Sequence, residues 1–326
     1  MQTHTHQEMF TMVNRAIDQI ELAKKPERLY DPIRYVLSIG GKRIRPVMCL
    51  MSCEMFDGNI NDALQPALAM EVFHNFTLLH DDIMDKAEKR RNMDCVHIKW
   101  NNNVAILSGD VMQILAYDLL KDLPDSLLKE CLALFSKTAM EVCEGQQFDM
   151  DYETQENITE ADYMEMIRLK TGVLLAASLK MGAIVGGAPK KDADLLYDFG
   201  IHIGLAFQLQ DDILDVYGDT VTFGKNIGGD IQTNKKTFLL INALHEATGE
   251  TRKELEKWLS KENFIHEDKI KAVTEIYNKT NVRSICQKEM ERQLKFAFDS
   301  LDAINVPKEN KKPLTDLANK LMNRTH

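Results

Sequence analysis

Two acidic pentads constrain this chain more than anything else in it. LLHDDIMD (78–85) and QLQDDILD (208–215) share the pattern DDxxD, the second 130 positions after the first. Each closes a strongly apolar stretch, FTLLH in one case and GLAFQLQ in the other. At about 100° per residue, the first and fifth aspartates lie on one helical face and the second at its side. Three like charges packed together repel, and a helix C-terminus is the wrong pole for anions. The bland alternative is a solvated acidic face, but the flanking sequence is of the buried kind and puts the carboxylates at the rim of an interior space. Such clusters are costly unless cations occupy them. Hard oxygen ligands suit Mg2+, which keeps several waters and binds phosphate oxygens. Asp81, Asp82, Asp85, Asp211, Asp212 and Asp215 are therefore candidate metal ligands.

The rest of the chain is helical in pattern. Gly and Pro are sparse, at 16 and 8 of 326 residues, and helix formers are plentiful. The periodicity predicts helices over 7–24 (ended by Pro26), 42–56, 61–84 (with Asn61 as a cap), 103–121, 125–150, 159–187, 191–218, 234–248, 250–260, 267–301 and 311–324. Pro124 and Pro189 fall at helix starts, where proline is tolerated. Few strand-like alternations occur. One long irregular segment, 218–236, is rich in Gly, Lys and Asp, and a loop that long is often functional. With no Pro/Gly/Ser linker between the two pentads, the expectation is one domain spanning 1–326, built of pseudo-repeated halves.

Basic residues stand where an anion held at those metals would need them. GGKRIRP (40–46) carries Lys42, Arg43 and Arg45 beside a glycine pair; Arg90 and Arg91 follow the first pentad; Lys225, Lys235 and Lys236 follow the second. Arginine forks grip phosphate bidentately and lysine acts as a point charge. Two acidic metal sites with these cations describe a cavity for two diphosphates, one held through metal and one held directly.

In that order, GGKRIRP, LLHDDIMDKAEKRR, AFQLQDDILDVYGD and GK…GGD…KK resemble the trans-isoprenyl diphosphate synthases, or polyprenyl synthetases, over roughly residues 30–245. The resemblance implies an all-α fold, a bundle of mostly antiparallel helices around a deep central cavity, usually as a homodimer. It implies that Asp81, Asp82, Asp85 and Asp211, and less directly Asp212 and Asp215, hold about three Mg2+ on the allylic diphosphate. Arg90, Lys170, Lys225 and Lys235 would assist there. Lys42, Arg45, His74 and Arg91 would bind isopentenyl diphosphate without metal. Thr171 and Gln208 would face a developing carbocation. The implied reaction is ionisation of the allylic C–O bond, attack by the homoallylic double bond and loss of a proton, assigned in the family to the departing diphosphate. Metal and cations stabilise the charge that builds on the leaving group, and an apolar cavity keeps water from the cation. Two departures stand near the contact set: Asn92 where many relatives have Gly, and Cys95 where Thr is usual.

Product length is read from the helix that ends at the first pentad. A side chain five positions before Asp81 lies ~7 Å back along the axis. That residue is Phe76, followed by Thr77, with Phe73 one turn deeper. Either Phe is a floor for the growing tail or both are ordinary core aromatics. In the family, an aromatic at the Phe76 position points to short products. The second aromatic of animal farnesyl types is missing at Thr77, and so is the two-residue insertion of bacterial farnesyl types. The combination resembles the archaeal-type geranylgeranyl pattern, with farnesyl diphosphate as the alternative product.

Other classes fit less well. A net charge of −10 with no basic stripe argues against nucleic acid and anionic membrane surfaces. No run of about 18 apolar residues predicts a membrane span, and the start, MQTHTHQEMF, has no signal-like apolar stretch. The six cysteines contain no CxxC pair, so no structural zinc site is expected, and the expected compartment is the cytoplasm, with thiols reduced. The 17 methionines read as core filler. A terpene cyclase has no need of GGKRIRP. A di-iron oxidase needs two ExxH motifs and only Glu71–His74 supplies one. An HD-type phosphohydrolase, hinted at by His80-Asp81, lacks further histidines for its metal set. A non-catalytic partner subunit would typically lose one acidic motif, and both are intact here.

Overall fold

Thr5 and Glu8 start the first helix. Thr5 accepts the Glu8 N–H at 3.2 Å and Glu8 accepts the Thr5 N–H at 2.7 Å, a reciprocal capping box for α1 (His6–Asp18). The computed structural model describes residues 4–218, 228–261 and 263–322. The helices that follow are α2 (Glu27–Ser38), α3 (Ile44–Met55), α4 (Leu64–Met84), α5 (Val96–Lys99), α6 (Asn102–Asp118), α7 (Asp125–Thr154), α8 (Glu160–Ile167), α9 (Val173–Val185) and α10 (Lys190–Tyr217). Then come α11 (Gly229–Thr233), α12 (Phe238–Glu246), α13 (Gly249–Ser260), α14 (His266–Lys279), α15 (Val282–Ala303) and α16 (Lys308–Met322). Among the described residues the sole sheet is a two-residue ribbon, β1 (Lys89–Arg90) antiparallel to β2 (Met93–Asp94), so the all-α expectation holds.

The chain clusters into two units. One takes residues up to 137 with 177–197 and 304–314; the other takes 138–176, 198–303 and the residues from 315 on. In the first, α4 is the centre. It is apolar nearly all round, with Ala67, Leu68, Ala69, Met70, Val72 and Phe73 sealed from solvent, as a helix packed on several sides must be. It packs on α2, α3 and α6. Cys49 and Cys53, on one face of α3, are core as their spacing predicts. A Cβ at Gly182 of α9 would collide with the Cys49 carbonyl, and one at Gly186 would fall 2.6 Å from the Cys53 carbonyl, so these glycines let α9 lie directly on α3. In the second unit, α12 packs on α8, α14 and α15 around the buried rings of Tyr163, Phe238 and Tyr277.

Several predicted boundaries move, for local reasons. Residues 27–38 carry no helix in the sequence reading, yet they form α2, with Pro32 inside it. Pro32 forfeits one i→i−4 bond but buries its ring in the core. The cap of α4 is Ala63, not Asn61, whose amide instead bonds the Asn59 side chain at 3.0 Å. The stretch 159–187 is interrupted by a π-turn at Arg168–Gly172. The stretch 267–301 breaks at Asn281, in the left-handed region at φ 55°. Within 218–236 lies the short helix α11, and α12 begins only after Thr237, whose hydroxyl caps Leu240 N.

Candidate active site

In the first unit, Arg45 packs against His74. Arg45 Nη1 lies 3.0 Å from His74 Nε2. A guanidinium can only donate, so Nε2 accepts and the imidazole is neutral. Burial holds the His74 pKa well below its ordinary value, reinforced by Arg45, Arg91, Arg90 and Arg43 in that order. Burial likewise pulls Arg45 down to about 10, still protonated at neutral pH. Arg45 Nε is buried without a hydrogen-bond partner. The Arg91 guanidinium lies against Gly41: a Cβ there would be 2.6 Å from Nη1, and Gly41 has φ +150°. Lys42 is exposed beside it. Arg43, the remaining cation of GGKRIRP, turns inward and pairs with Glu71 at 2.6 Å.

The first pentad ends α4. Asp81 is half-buried, Asp82 buried and Asp85 exposed at the C-cap. Arg90, on β1, reaches back over them, with Nη2 2.7 Å from Asp82 Oδ1 and 3.6 Å from Asp81 Oδ2. The pentad's charge, at the wrong pole of the helix dipole, is thus partly matched by protein, and Asp82 is engaged by arginine. Arg91 and Asn92 turn the ribbon with φ 53° and 63°. Asn is among the few residues that tolerate the left-handed region, so it does at 92 what Gly does in relatives. Cys95 is buried near Asp82: burial, then the Asp82 charge, pushes its thiol up to about 12, so it stays protonated.

In the second unit, Asp211 and Asp215 share a face of α10 while Asp212 turns inward. Asp212 accepts from Tyr163 Oη at 2.5 Å, Phe238 N at 3.3 Å and Gln208 Nε2 at 3.5 Å. Burial and the neighbouring Asp230 raise its pKa to about 7, against the pull of those donors and Lys235. Asp215 accepts Asp230 N at 3.1 Å and so ties α11 to the pentad. Lys170 and Thr171 sit on the π-turn, a feature frequent at functional sites. Lys170 Nζ pairs with Asp149 Oδ2 at 2.6 Å, and Thr171 Oγ1 reaches Gln208 Oε1 at 3.5 Å. Burial pushes Asp149 up, yet Lys235 and Lys170 outweigh it and leave the carboxyl below its usual range. Lys235 is exposed after α11. Lys225 lies outside the described residues.

Among the described residues no group of three or more His, Cys, Asp or Glu side chains converges as a closed metal cage. Asp81 with Asp85, and Asp211 with Asp215, stand about one turn apart on their helices.

The family model for polyprenyl synthetases matches residues 26–277. This chain belongs to that family. With membership comes the enzyme class, prenyltransferase. The chain is 42% identical over 236 residues to the geranylgeranyl diphosphate synthase of Methanosarcina mazei, covering 72% of this chain and 73% of that protein. It is 42% identical over 231 residues to a short chain isoprenyl diphosphate synthase of Methanothermobacter thermautotrophicus, 71% of each. A crystal structure of a geranylgeranyl pyrophosphate synthase superposes with a TM-score of 0.95 at 42% identity, covering 99% of both chains.

Three residues that touch predicted site residues escape a motif reading. Asp149 lies near the end of α7 with no DDxxD pattern around it. Tyr163 carries no pattern at all. Gly145 is visible only in three dimensions: a Cβ there would collide with the Lys170 backbone nitrogen, so α7 presses on the π-turn at the residue that carries the lysine.

Proposed function

We propose that this prenyltransferase condenses isopentenyl diphosphate with allylic diphosphates (dimethylallyl, geranyl and farnesyl) to geranylgeranyl diphosphate. The observation that carries the reading is Arg45 against a neutral His74, its Nε buried and unpartnered among the described residues, with Arg91 adding its charge nearby. So much positive charge in partly desolvated surroundings needs an anion that brings its own oxygens, and a diphosphate does.

In this reading Lys42, Arg45, His74 and Arg91 hold the isopentenyl diphosphate directly. Asp81, Asp82, Asp85 and Asp211, with Asp212 and Asp215 behind them, hold the allylic diphosphate through Mg2+, with Arg90, Lys170, Lys225 and Lys235 as further cations. Mg2+, when bound, neutralises charge on the departing diphosphate. Asp212 acts from inside: with Tyr163, Gln208 and Phe238 N on its oxygens it orients the pentad rather than facing solvent. Thr171 and Gln208 turn oxygen toward a developing cation; Gln208 is fixed with Oε1 on Thr171 and Nε2 on Asp212. An apolar surrounding that excludes water protects such a cation.

Product length follows from Phe76. It is buried, its ring 4.7 Å from His80 and 5.4 Å from Phe73, which rests on Phe135 at 5.3 Å. These aromatics close the space beside α4 below the first pentad. The 42% identity to the geranylgeranyl diphosphate synthase of Methanosarcina mazei supports the same length. A second copy of the chain fits the apolar face of α6, where Ile106, Leu107 and Ile114 are 43%, 58% and 68% exposed. No helix among the described residues is long and apolar enough to cross a membrane. The chain works, in this reading, as a single catalytic domain.

The test is a product assay with Mg2+, labelled isopentenyl diphosphate and each allylic primer, identifying prenyl alcohols after dephosphorylation. Geranylgeraniol as the final product supports both activity and floor. Farnesol keeps the enzyme and moves the floor upward. No condensation with any primer turns the reading toward a partner subunit.

A further inference from the structure

Arg43 is the arginine of GGKRIRP for which the diphosphate reading has no use. It occupies a left-handed conformation, φ 47° and ψ 36°, that an L side chain adopts at a cost. Glycine would sit there without strain, so the side chain must be what the position requires. Each of its three nitrogens is engaged inside the protein: Nη1 on Glu71 Oε1 at 2.6 Å, Nη2 on the Leu37 carbonyl at 2.7 Å and Nε on Asn14 Oδ1 at 3.2 Å. Asn75 Nδ2 holds the same Glu71 oxygen at 3.1 Å. Both members of the ion pair are almost fully buried, at 2% and 3% side-chain exposure.

A buried ion pair is a weak source of stability compared with an apolar pair of the same shape. What this one does supply is position. Glu71 and His74 are three residues apart on α4 and project from one face. Glu71 takes Arg43 and His74 takes Arg45, so α4 grips the 40–46 turn at two points. The same helix carries Asp81, ten residues and about 15 Å further along its axis. We infer that the Arg43–Glu71 pair is a positioning clamp that fixes the glycine turn to α4 and so sets Lys42, Arg45 and Arg91 for the metal-free diphosphate. Glu71 also faces Arg45 and Arg91 as an opposing charge, letting the cations stay crowded before an anion arrives.

The inference rests on the reading of Lys42, Arg45, His74 and Arg91 as the isopentenyl diphosphate site. Its sign is opposite to that of simple electrostatics. Removing an anion near a diphosphate site should tighten binding; releasing a clamp should loosen it. The test measures KM for isopentenyl diphosphate and for farnesyl or geranyl diphosphate, kcat and thermal midpoint for Glu71→Gln, Arg43→Lys and Asn14→Ala in the full chain. The expected result for Glu71→Gln is a rise on the order of tenfold in KM for isopentenyl diphosphate, given that about 1 Å of misplacement can cost up to a hundredfold. The allylic KM should change less than about twofold on the same scale. Arg43→Lys keeps the charge, loses the fork and should show the same bias. Asn14→Ala removes only the Nε acceptor and reports the bias, smaller, should Glu71→Gln not fold. A lowered KM for isopentenyl diphosphate in Glu71→Gln, or a fallen thermal midpoint with both KM values unchanged, overturns the clamp. Arg45→Ala separates the two claims: if it too leaves the isopentenyl KM untouched, the reading of the site fails; if it raises that KM while the clamp variants do not, only the clamp fails.

Discussion

Replacing Phe76 with alanine should lengthen the product by one five-carbon unit. Phe76 lies five residues before Asp81, about 7.5 Å back along α4, and Phe73 is about 4.5 Å deeper. The Phe76 ring is 7% exposed, its centroid 5.4 Å from that of Phe73, and Phe73 is sealed and braced edge-on by Phe135. Removing the upper ring therefore lets a tail descend about one helical turn before it meets the next aromatic, close to one isoprene unit. The cost to folding is that of a large-to-small change in a core, about 3 kcal/mol, at the low end of the 3–5 kcal/mol range because the site faces the tail's own space. That loss must be measured by denaturant titration, so that a change in product is not mistaken for partial unfolding. The assay is chromatography of dephosphorylated products from each primer. Phe76→Ala should move the main product one unit beyond the wild type. Phe73→Ala, with Phe76 still above it, should move it little while costing about 4 kcal/mol or more. An unchanged distribution in Phe76→Ala, or equal lengthening by Phe73→Ala, would refute the floor.

Other outcomes follow from the site. Gly41→Ala should displace the Arg91 guanidinium, which lies 2.6 Å from the added methyl position, and raise the KM for isopentenyl diphosphate while sparing that of the allylic substrate. Tyr163→Phe strips a 2.5 Å donor from buried Asp212 and should cost about 2 kcal/mol, the range for a hydrogen bond to a charged group, by denaturant titration above pH 7. His74 titrates far lower folded than unfolded, so below pH 6.5 the unfolded chain binds the extra proton; its contribution is complete above 6.5 and is lost on acidification, at up to about 1.4 kcal/mol per pH unit. Unfolding curves at pH 7.5 and 5.5 should show that increment in the wild type and not in His74→Gln. Ile114→Asp, on the exposed face of α6, should yield monomers by light scattering if a second copy covers it.

The chemistry was more legible than the geometry that supports it. Both pentads, the glycine turn and the arginine pair announce themselves because metal and diphosphate binding need particular residue types at fixed spacing. Helix existence was legible wherever apolar residues recur with helical period. Two things were not. Helix α2 hides behind Pro26 and Pro32 because a proline's lost bond and a buried ring have opposite signs, and only packing decides between them. Asp212 has the same sequence credentials as Asp82, yet one takes Tyr163, Phe238 N and Gln208 from inside the protein and the other takes Arg90. Which way a carboxylate turns depends on donors distant in sequence, and no local pattern carries that.

The two departures from the family pattern make the same point from the other side. Asn92 and Cys95 look like risks in a motif alignment, because the usual residues are Gly and Thr. Each keeps the one property its position uses. Residue 92 must sit at φ 63°, which Asn reaches with little strain, so the ribbon still turns and Arg90 still reaches the first pentad. Residue 95 is buried near the Asp82 charge, and burial, then that charge, keeps its thiol protonated. Cys95→Thr, which keeps a hydrogen to donate, should then be close to neutral in rate and stability, whereas Cys95→Val, of similar size but without a donor, should lower activity. Equal behaviour of Thr and Val at 95 would mean that shape, not the donated hydrogen, is what the position selects.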